Sequence, residues 1–157
     1  MAEAVSTYTR KFLVVIDDTP ESDRAVTFAA YRVKRTGGAV VLLSVIEPPG
    51  FLGLGVEDIL RAEAREAAEN LLDIRTARIA KIGGIRCETV IREGRGADAV
   101  VSVIEEDKAI AILVLGASAV TDGPGPLVEH FATAVVLPIP MTIVPGSMTD
   151  EEIAAIC

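Results

Sequence analysis

The sequence has no tryptophan, few aromatic residues and only two cysteines. Cys87 and Cys157 form neither a disulfide framework nor a metal-ligand spacing, which excludes a disulfide-rich secreted domain. The only cationic neighbour of either thiol is Arg86, beside Cys87, so we expect no redox chemistry. This cysteine usage is typical of a protein from a reducing cytoplasm.

Basic clusters and long apolar runs are also missing. The net charge of -8 at pH 7 repels polyanions, which argues against a surface for nucleic acid or anionic membrane. The N-terminal segment lacks the apolar stretch of a secretory signal, and the apolar runs are too short to cross a bilayer. We therefore expect a cytoplasmic protein with no nucleic-acid and no membrane partner.

Half of the residues are hydrophobic, mostly Val, Ile, Leu and Ala. In a chain of 157 residues this is enough for one domain with an aliphatic core, as in α/β proteins. We predict a flexible segment over 1–10, one domain over 11–147, and a short helix or tail over 148–157. The tail carries Thr149 and Glu152 at the spacing of a capping box.

Apolar segments typical of buried strands alternate with helical patterns along the chain. Strands are predicted over 12–17, 39–47, 86–93, 109–118 and 140–146, and helices over 20–36, 56–82, 96–107 and 126–136. This alternation predicts one doubly wound, Rossmann-like α/β domain with a five-stranded parallel sheet and helices on both faces. Ligands of such sheets bind at the carboxyl ends of the strands, where strand order reverses. The residues expected on that rim are Asp17, Asp18, Val45, Gly94 and the loop 116–126.

The connection 48–55, with the sequence PPGFLGLG, is unusually apolar for a loop. Such a segment is expected to cover part of the molecule or to contact a partner. The helix that follows is predicted to bury one apolar stripe along its length. Its members are Leu60, Ala64, Ala67, Ala68, Leu71 and Leu72.

The order of the motifs is more specific than any one of them. An apolar first strand ends in Asp17, LLSVIE forms the second, Gly94 follows the third, and VLGAS ends the fourth. In this order they resemble the universal stress protein family, from about Lys11 to Gly146. The resemblance implies a stress-response or regulatory protein without a catalytic centre, and a homodimer formed through the last strand, near Met141–Val144.

The ATP-binding pattern of that family has three glycines after the fourth strand. Gly116 stands at the first, Ala119 replaces the second, and Gly125 comes too early for the third and is followed by Pro126. Ala119 lacks the backbone freedom of glycine, and Pro126 offers neither a hydroxyl nor an N–H. Glu129, in the first turn of the predicted helix, is expected to occupy the place of an anion.

If ATP or AMP binds, with Mg²⁺, the resemblance implies that Asp17 and Val45 lie near adenine and ribose and Gly116 near the phosphates. The expected binding residues are Asp17, Val45, Gly116, Ala117, Ser118 and Gly125. Asp122 would repel a triphosphate unless a divalent cation bridges the two. Two other interpretations stay open, namely that Asp17 caps the following helix and that Val45 belongs to the core.

Two enzyme hypotheses are less well supported. A phosphoacceptor receiver domain would explain Asp17-Asp18, but the third strand lacks the required Asp and the fifth lacks the Lys. A hydrolase would use Ser118, Asp122 and His130, but no G-x-S-x-G elbow is present, and His130 is expected on a helix surface. We therefore expect no catalytic and no metal-binding residues. A regulatory homodimer with unidentified protein partners is favoured, a nucleotide-binding switch is the alternative, and a hydrolase comes third.

Overall fold

The computed structural model describes residues 10–120, 123–133 and 137–157. Strands and helices alternate throughout this part of the chain. The strands are β1 (Lys11–Val15), β2 (Ala39–Ile46), β3 (Arg86–Glu93), β4 (Ile110–Ala117) and β5 (Met141–Pro145). The helices are α1 (Pro20–Thr36), α2 (Val56–Ile82), α3 (Gly96–Glu106), α4 (Pro126–Thr133) and α5 (Asp150–Ile156).

The five strands form one sheet in the order β3-β2-β1-β4-β5, and every neighbouring pair is parallel. The chain builds outward from β1 to β3, then crosses to the other side of β1 for β4 and β5. Strand order therefore reverses between β1 and β4, which opens a crevice at their carboxyl ends. The predicted doubly wound parallel sheet is confirmed.

Both faces of the sheet are covered by helices. Successive side chains of β1 pack against different helices. Phe12 and Val14 pack into a cluster with α1, α2 and α5, whereas Leu13 packs on the other side with α3 and α4. Successive side chains of a strand point to opposite faces, so an uninterrupted apolar strand requires cover on both. None of the described helices is both long enough and apolar enough to cross a membrane.

The first turn of α1 is fixed by local chemistry. Thr19 is the N-cap, its hydroxyl accepting from the Ser22 N–H at 3.4 Å, and Pro20 follows at the first helical position. The helix ends at Gly37, which has φ +82° and donates its N–H to the Val33 carbonyl at 2.7 Å. Proline at the start and glycine past the end are the residue types that these positions favour. The start of α1 is thus held firmly beside the crevice.

Helix α2 has the predicted ends, but the predicted apolar stripe is wrong in its first half. The buried residues are Ala68, Leu72, Arg75 and Ile79, whereas Leu60 and Ala67 are exposed. A helix of 27 residues is about 40 Å long, while the strands beside it, of eight residues each, span only about 26 Å. The first turns of α2 therefore extend beyond the sheet it packs on.

The large apolar side chains of the loop before α2 are exposed and do not join the core. Phe51 is 92% exposed and Leu54 is 105% exposed. The Glu57 carboxylate orders the loop by accepting from the Leu52 and Gly53 N–H groups at 2.6 and 2.8 Å. Exposed apolar side chains continue into the first turn of α2. We call this surface the apolar patch; its members are Phe51, Leu52, Leu54, Val56 and Ile59.

Three stretches for which the sequence makes predictions lie outside the described residues. They are the segment 1–9, predicted to be flexible, residues 134–136 of the predicted helix 126–136, and Asp122 of the loop before α4.

The terminal segment forms α5 and joins the main core. The capping box is confirmed, since the Glu152 N–H donates to Thr149 Oγ1 at 3.1 Å and the Thr149 N–H donates to Glu152 Oε1 at 2.9 Å. Asp150 then pairs with Arg24 of α1 at 2.5 Å and Arg78 of α2 at 2.7 Å. One carboxylate therefore connects three helices.

Stability should depend on the charge of Asp150. Burial alone would raise the pKa of this carboxyl, but hydrogen bonds from the Arg24 and Arg78 guanidinium groups outweigh burial and lower it. Because the side chain is 41% exposed, solvent screens the pairs, and we expect Asp150→Asn to reduce unfolding free energy by about 1 kcal/mol at pH 7.

Because the pKa of Asp150 is lower in the folded state, the free energy of unfolding gained from its ion pairs decreases at low pH. The stabilisation is complete above about pH 4, the ordinary pKa of Asp, and is lost as the pH falls through the lower folded-state value. The difference in unfolding free energy between wild type and Asp150→Asn should therefore shrink in that range. Urea titrations at pH 7, 4 and 3 measure it, and a difference that is constant with pH contradicts the ion pairs.

Candidate functional site

A cavity of about 260 Å³ lies between the carboxyl ends of β1 and β4. One wall is the end of β1 with the first turn of α1, formed by Val15, Asp17, Thr19, Glu21 and Ser22. The second wall is the end of β4, formed by Leu115, Gly116 and Ser118. The third is the start of α4, over 124–128. This is the switch point at which open α/β sheets bind ligands.

The structure brings together some of the residues predicted for nucleotide binding. Those that line the cavity are Asp17, Gly116, Ser118 and Gly125. Val45 is half-buried in β2 and packs against the core on the α3 side, and it does not line the cavity. Ala117 does not line it either, and its carbonyl accepts from the Gly146 N–H at 2.8 Å.

Asp17 organises the turn between β1 and α1. Its Oδ1 accepts from the Thr19 N–H at 2.9 Å and also from the Thr19 hydroxyl. Its own N–H donates to Ser22 Oγ at 3.0 Å, and its carbonyl accepts from Arg75 Nη2 at 2.9 Å. Thr19, rather than Asp17, is the helix cap. Both side-chain bonds of Asp17 use Oδ1, so the second carboxylate oxygen remains for a hydrogen-bond donor of a ligand.

Gly116 allows α1 to approach β4 closely. A Cβ at this position would collide with the Glu21 carbonyl oxygen and lie 2.9 Å from Glu21 Cβ. Gly146 has a similar role, because a Cβ there would lie 3.0 Å from the same Glu21 Cβ. These glycines therefore have a packing function that is independent of any phosphate.

The loop before α4 is closed by its own hydrogen bonds. The Ser118 N–H donates to the Pro124 carbonyl at 3.0 Å. Gly123 and Gly125 have φ of +81° and +115°, in the region that favours glycine. A methyl group on Gly123 would collide with Glu129 Oε1, so this carboxylate folds back over the loop. A negative side chain therefore lies at the start of α4, where the helix dipole favours an anion.

The charged residues that line the cavity are both acidic, Asp17 and Glu21. Arg75, which contacts the Asp17 carbonyl, is only 7% exposed, lies 3.1 Å from the Asp23 carboxylate and does not line the cavity. Residues 1–9, 121–122 and 134–136 contain no Lys, Arg or His.

The apolar part of the cavity wall suits a flat base. It is formed by Val15, Leu115, Leu127 and Val128. The cavity walls therefore offer apolar contact to a flat group and, among the residues that line them, no cationic side chain for a phosphate.

The hydrolase hypothesis gains no support from the geometry. Ser118 lines the cavity, whereas His130 is exposed on α4, does not line the cavity and contacts Phe131 edge-on with ring centroids 5.2 Å apart. Asp122, its third member, lies outside the described residues. Over 10–120, 123–133 and 137–157, no group of three His, Cys, Asp or Glu side chains could hold a metal ion.

The contribution of α1 to the cavity, which comes from Thr19, Glu21 and Ser22, was not predicted from the sequence. The signal was available in the topology, because the turn after the first strand of a doubly wound sheet borders the switch point. The sequence around Glu21 and Gly116 does not predict that they lie close together, because this contact depends on how α1 packs across β4.

Comparison with known proteins agrees with this geometry. The family model of the universal stress protein family matches residues 9–145. No curated protein sequence matches the chain.

Solved structures with the same fold include universal stress protein UspA from Lactobacillus plantarum, with a TM-score of 0.74 and 17% identity over 87% of this chain and 97% of that one. A universal stress protein in complex with cAMP has a TM-score of 0.65 and 19% identity over 88% and 98%. One from Archaeoglobus fulgidus in complex with dAMP has a TM-score of 0.57 and 20% identity over 87% and 98%. These likenesses show the fold, and the family model, which spans most of the chain, shows the family. The chain belongs to the universal stress protein family.

Proposed function

We propose that this chain is a non-catalytic regulatory protein of the stress response, that it works as a homodimer, and that its cavity receives an adenine compound. The observation that carries the proposal is the cavity between β1 and β4, at the switch point of the sheet. Its walls are largely apolar, and its polar groups are held in place by turns. Such fixed walls favour binding and orientation of a small ligand.

Two arguments support an adenine compound. Universal stress proteins of similar fold have been crystallised with cAMP and with dAMP. The cavity volume of about 260 Å³ is just below the range for small-molecule pockets, roughly 300 to 1,000 Å³. A base or a nucleoside fits a space of that size.

A nucleotide-dependent switch is the second candidate, with ATP or AMP and Mg²⁺ as ligands. The start of α4 favours it, because Gly125 and Pro126 line the cavity and a helix N-terminus attracts anions. In this case Asp122 and a cation would replace part of the missing glycine loop.

The ligand part is tested by calorimetric titration with adenosine, AMP, cAMP and ATP. We expect at least one of them to saturate the wild type and to remain chemically unchanged after incubation. Leu127→Trp, which fills the cavity, should abolish saturation, and Ile74→Trp, on an exposed position of α2, should not. No saturation by any of the four up to about millimolar concentration, far weaker than a specific site, would refute an adenine site.

The dimer part is supported by an open sheet edge. β5 is the last strand of the sheet, and Ile143 on it is 41% exposed. An edge strand presents unpaired backbone groups to a second strand. Pro145 has no N–H and ends the stretch that can pair. The apolar patch is a second surface on which copies of the chain could meet.

We expect Ile143→Lys to weaken dimerisation at least about tenfold, because pairing would desolvate the ammonium group. Phe51→Ser with Leu54→Ser tests the apolar patch in the same way. Ile74→Lys adds the same charge at an exposed isoleucine of α2 and serves as control. Sedimentation velocity measures the dimer dissociation constants of the wild type and of the three variants. A wild type that stays monomeric at about 100 μM, where even weak specific dimers form, contradicts the homodimer.

A further inference from the structure

We infer that the cavity selects an uncharged adenine nucleoside over its phosphates, so that adenosine binds more tightly than AMP, and AMP more tightly than ATP. The inference rests on the proposed function, because it requires that an adenine compound enters the cavity. It adds the chemical class of the ligand and names the acidic side chains that determine it.

The charge of the cavity walls disfavours a phosphate group. Asp17 and Glu21 line the cavity, and no lysine or arginine does. The parts of the chain that the structure leaves undescribed contain no basic residue. The whole chain carries a net charge of -8. A phosphate group in this cavity would meet like charges without a cation beside it, and its binding would be weakened accordingly.

Two helix N-termini, where an anion could be accommodated, border the cavity: those of α1 and α4. The first turn of α1 already carries the acidic residues Glu21 and Asp23. At α4, Pro126 lines the cavity and has no N–H, so this helix start offers one donor fewer to a phosphate oxygen. The Glu129 carboxylate lies against Gly123, just before the helix. A phosphate arriving at this helix end must displace Glu129 or remain beside it, and either outcome costs affinity.

The hydrogen-bonding groups of the cavity match those of a nucleoside. An ionised carboxylate only accepts hydrogen bonds. Asp17 uses Oδ1 for Thr19, so its other oxygen can accept from a ribose hydroxyl or an exocyclic amine. A nucleoside offers these donors, whereas phosphate oxygens offer only acceptors. The same acidic groups that repel phosphate therefore favour the uncharged part of the molecule.

The test is calorimetric titration of the full chain with adenosine, AMP and ATP without metal, at low and at moderate salt. We expect adenosine to bind at least about tenfold more tightly than ATP. Raising the salt from about 20 to 150 mM should strengthen AMP and ATP binding, because screening weakens repulsion, and should leave adenosine unchanged. A phosphate site built from basic groups gives the opposite salt dependence.

Two variants test the named residues. Glu129→Gln and Glu21→Gln should each raise ATP affinity about threefold to tenfold and change adenosine affinity less than about twofold. Glu66→Gln, on an exposed position of α2, makes the same change in net charge and should alter neither. Circular dichroism confirms that each variant is folded, and the salt dependence of the wild type needs no variant.

Each outcome is decisive. ATP or AMP binding more tightly than adenosine overturns the inference and leaves the proposed adenine site standing. Absence of binding by adenosine, AMP and ATP overturns the inference, and absence of cAMP binding as well overturns the proposed adenine site. If Glu129→Gln and Glu21→Gln bind ATP no more tightly than the control Glu66→Gln, these carboxylates do not set the preference for adenosine over ATP, and the inference is also overturned.

Discussion

Replacing Gly116 with alanine is expected to lower the free energy of unfolding by about 3 kcal/mol or more. The new Cβ would collide with the Glu21 carbonyl oxygen and would lie 2.9 Å from Glu21 Cβ. Backbone atoms cannot change rotamer to make room. The first turn of α1 must therefore move away from β4, and the contacts between these two elements are lost together.

A matched control is Gly96→Ala. Gly96 begins α3, its φ is not positive, and the nearest atom to a Cβ there would be Leu127 Cδ2 at 3.5 Å, an ordinary contact. Alanine is the better helix former and restricts the unfolded chain, so the change should be within about 0.5 kcal/mol of zero or slightly stabilising. Urea unfolding followed by far-UV circular dichroism compares the two. Equal effects would contradict the packing role of Gly116.

Gly116 also lines the cavity, so Gly116→Ala should weaken ligand binding as well. That loss alone would not identify Gly116 as a phosphate contact, because moving α1 displaces Thr19, Glu21 and Ser22 at the same time. Only the ratio of adenosine to ATP affinity separates the two explanations. A displaced wall weakens both ligands, whereas loss of a phosphate contact weakens ATP alone.

The strands and helices were predictable because their signals are local. Helix α2 begins after Gly55, which has φ +82°, and ends at Gly83 with the same φ, and the sequence predicted both ends. The Asp17 turn and the Thr149 capping box depend on residues within a few positions of each other. The alternation of strand and helix patterns predicted the doubly wound sheet, and the order of the motifs predicted the family.

Features that depend on distant packing were not predictable. The exposure of Leu60 follows from the difference in length between α2 and its strands, which no local pattern contains. The bond from Arg75 to the Asp17 carbonyl joins residues 58 positions apart. The absence of basic side chains from the cavity walls likewise required knowledge of which elements meet there. The candidate site was therefore predicted in its location and in part of its residues, but its charge was not.

The second large effect concerns the docking of α5. Ile153 is 0% exposed and belongs to the core that α1 and α2 form, and Arg35 Nη1 donates to the Cys157 carbonyl at 2.7 Å. A helix of seven residues is too short to persist without packing. We expect Ile153→Ala to weaken docking by about 2 kcal/mol or more, which populates an open state in which α5 is detached and unfolded.

Cys157 reports that open state. Its thiol is buried, and burial raises its pKa although Arg32 and Arg35 act in the opposite direction, so it should react slowly with thiol reagents while α5 is docked. In a Cys87→Ala background, Ile153→Ala should increase the rate at which a thiol reagent labels Cys157 about 30-fold. If α5 detaches and redocks faster than the reagent reacts, a loss of about 2 kcal/mol in docking free energy corresponds to this factor. Ile156→Ala removes the same atoms from an exposed position of the same helix and should leave the rate unchanged. If both variants label at the wild-type rate, α5 is held mainly by Asp150 and Arg35 and not by its apolar contact, and the Asp150→Asn variant should then show the faster labelling instead.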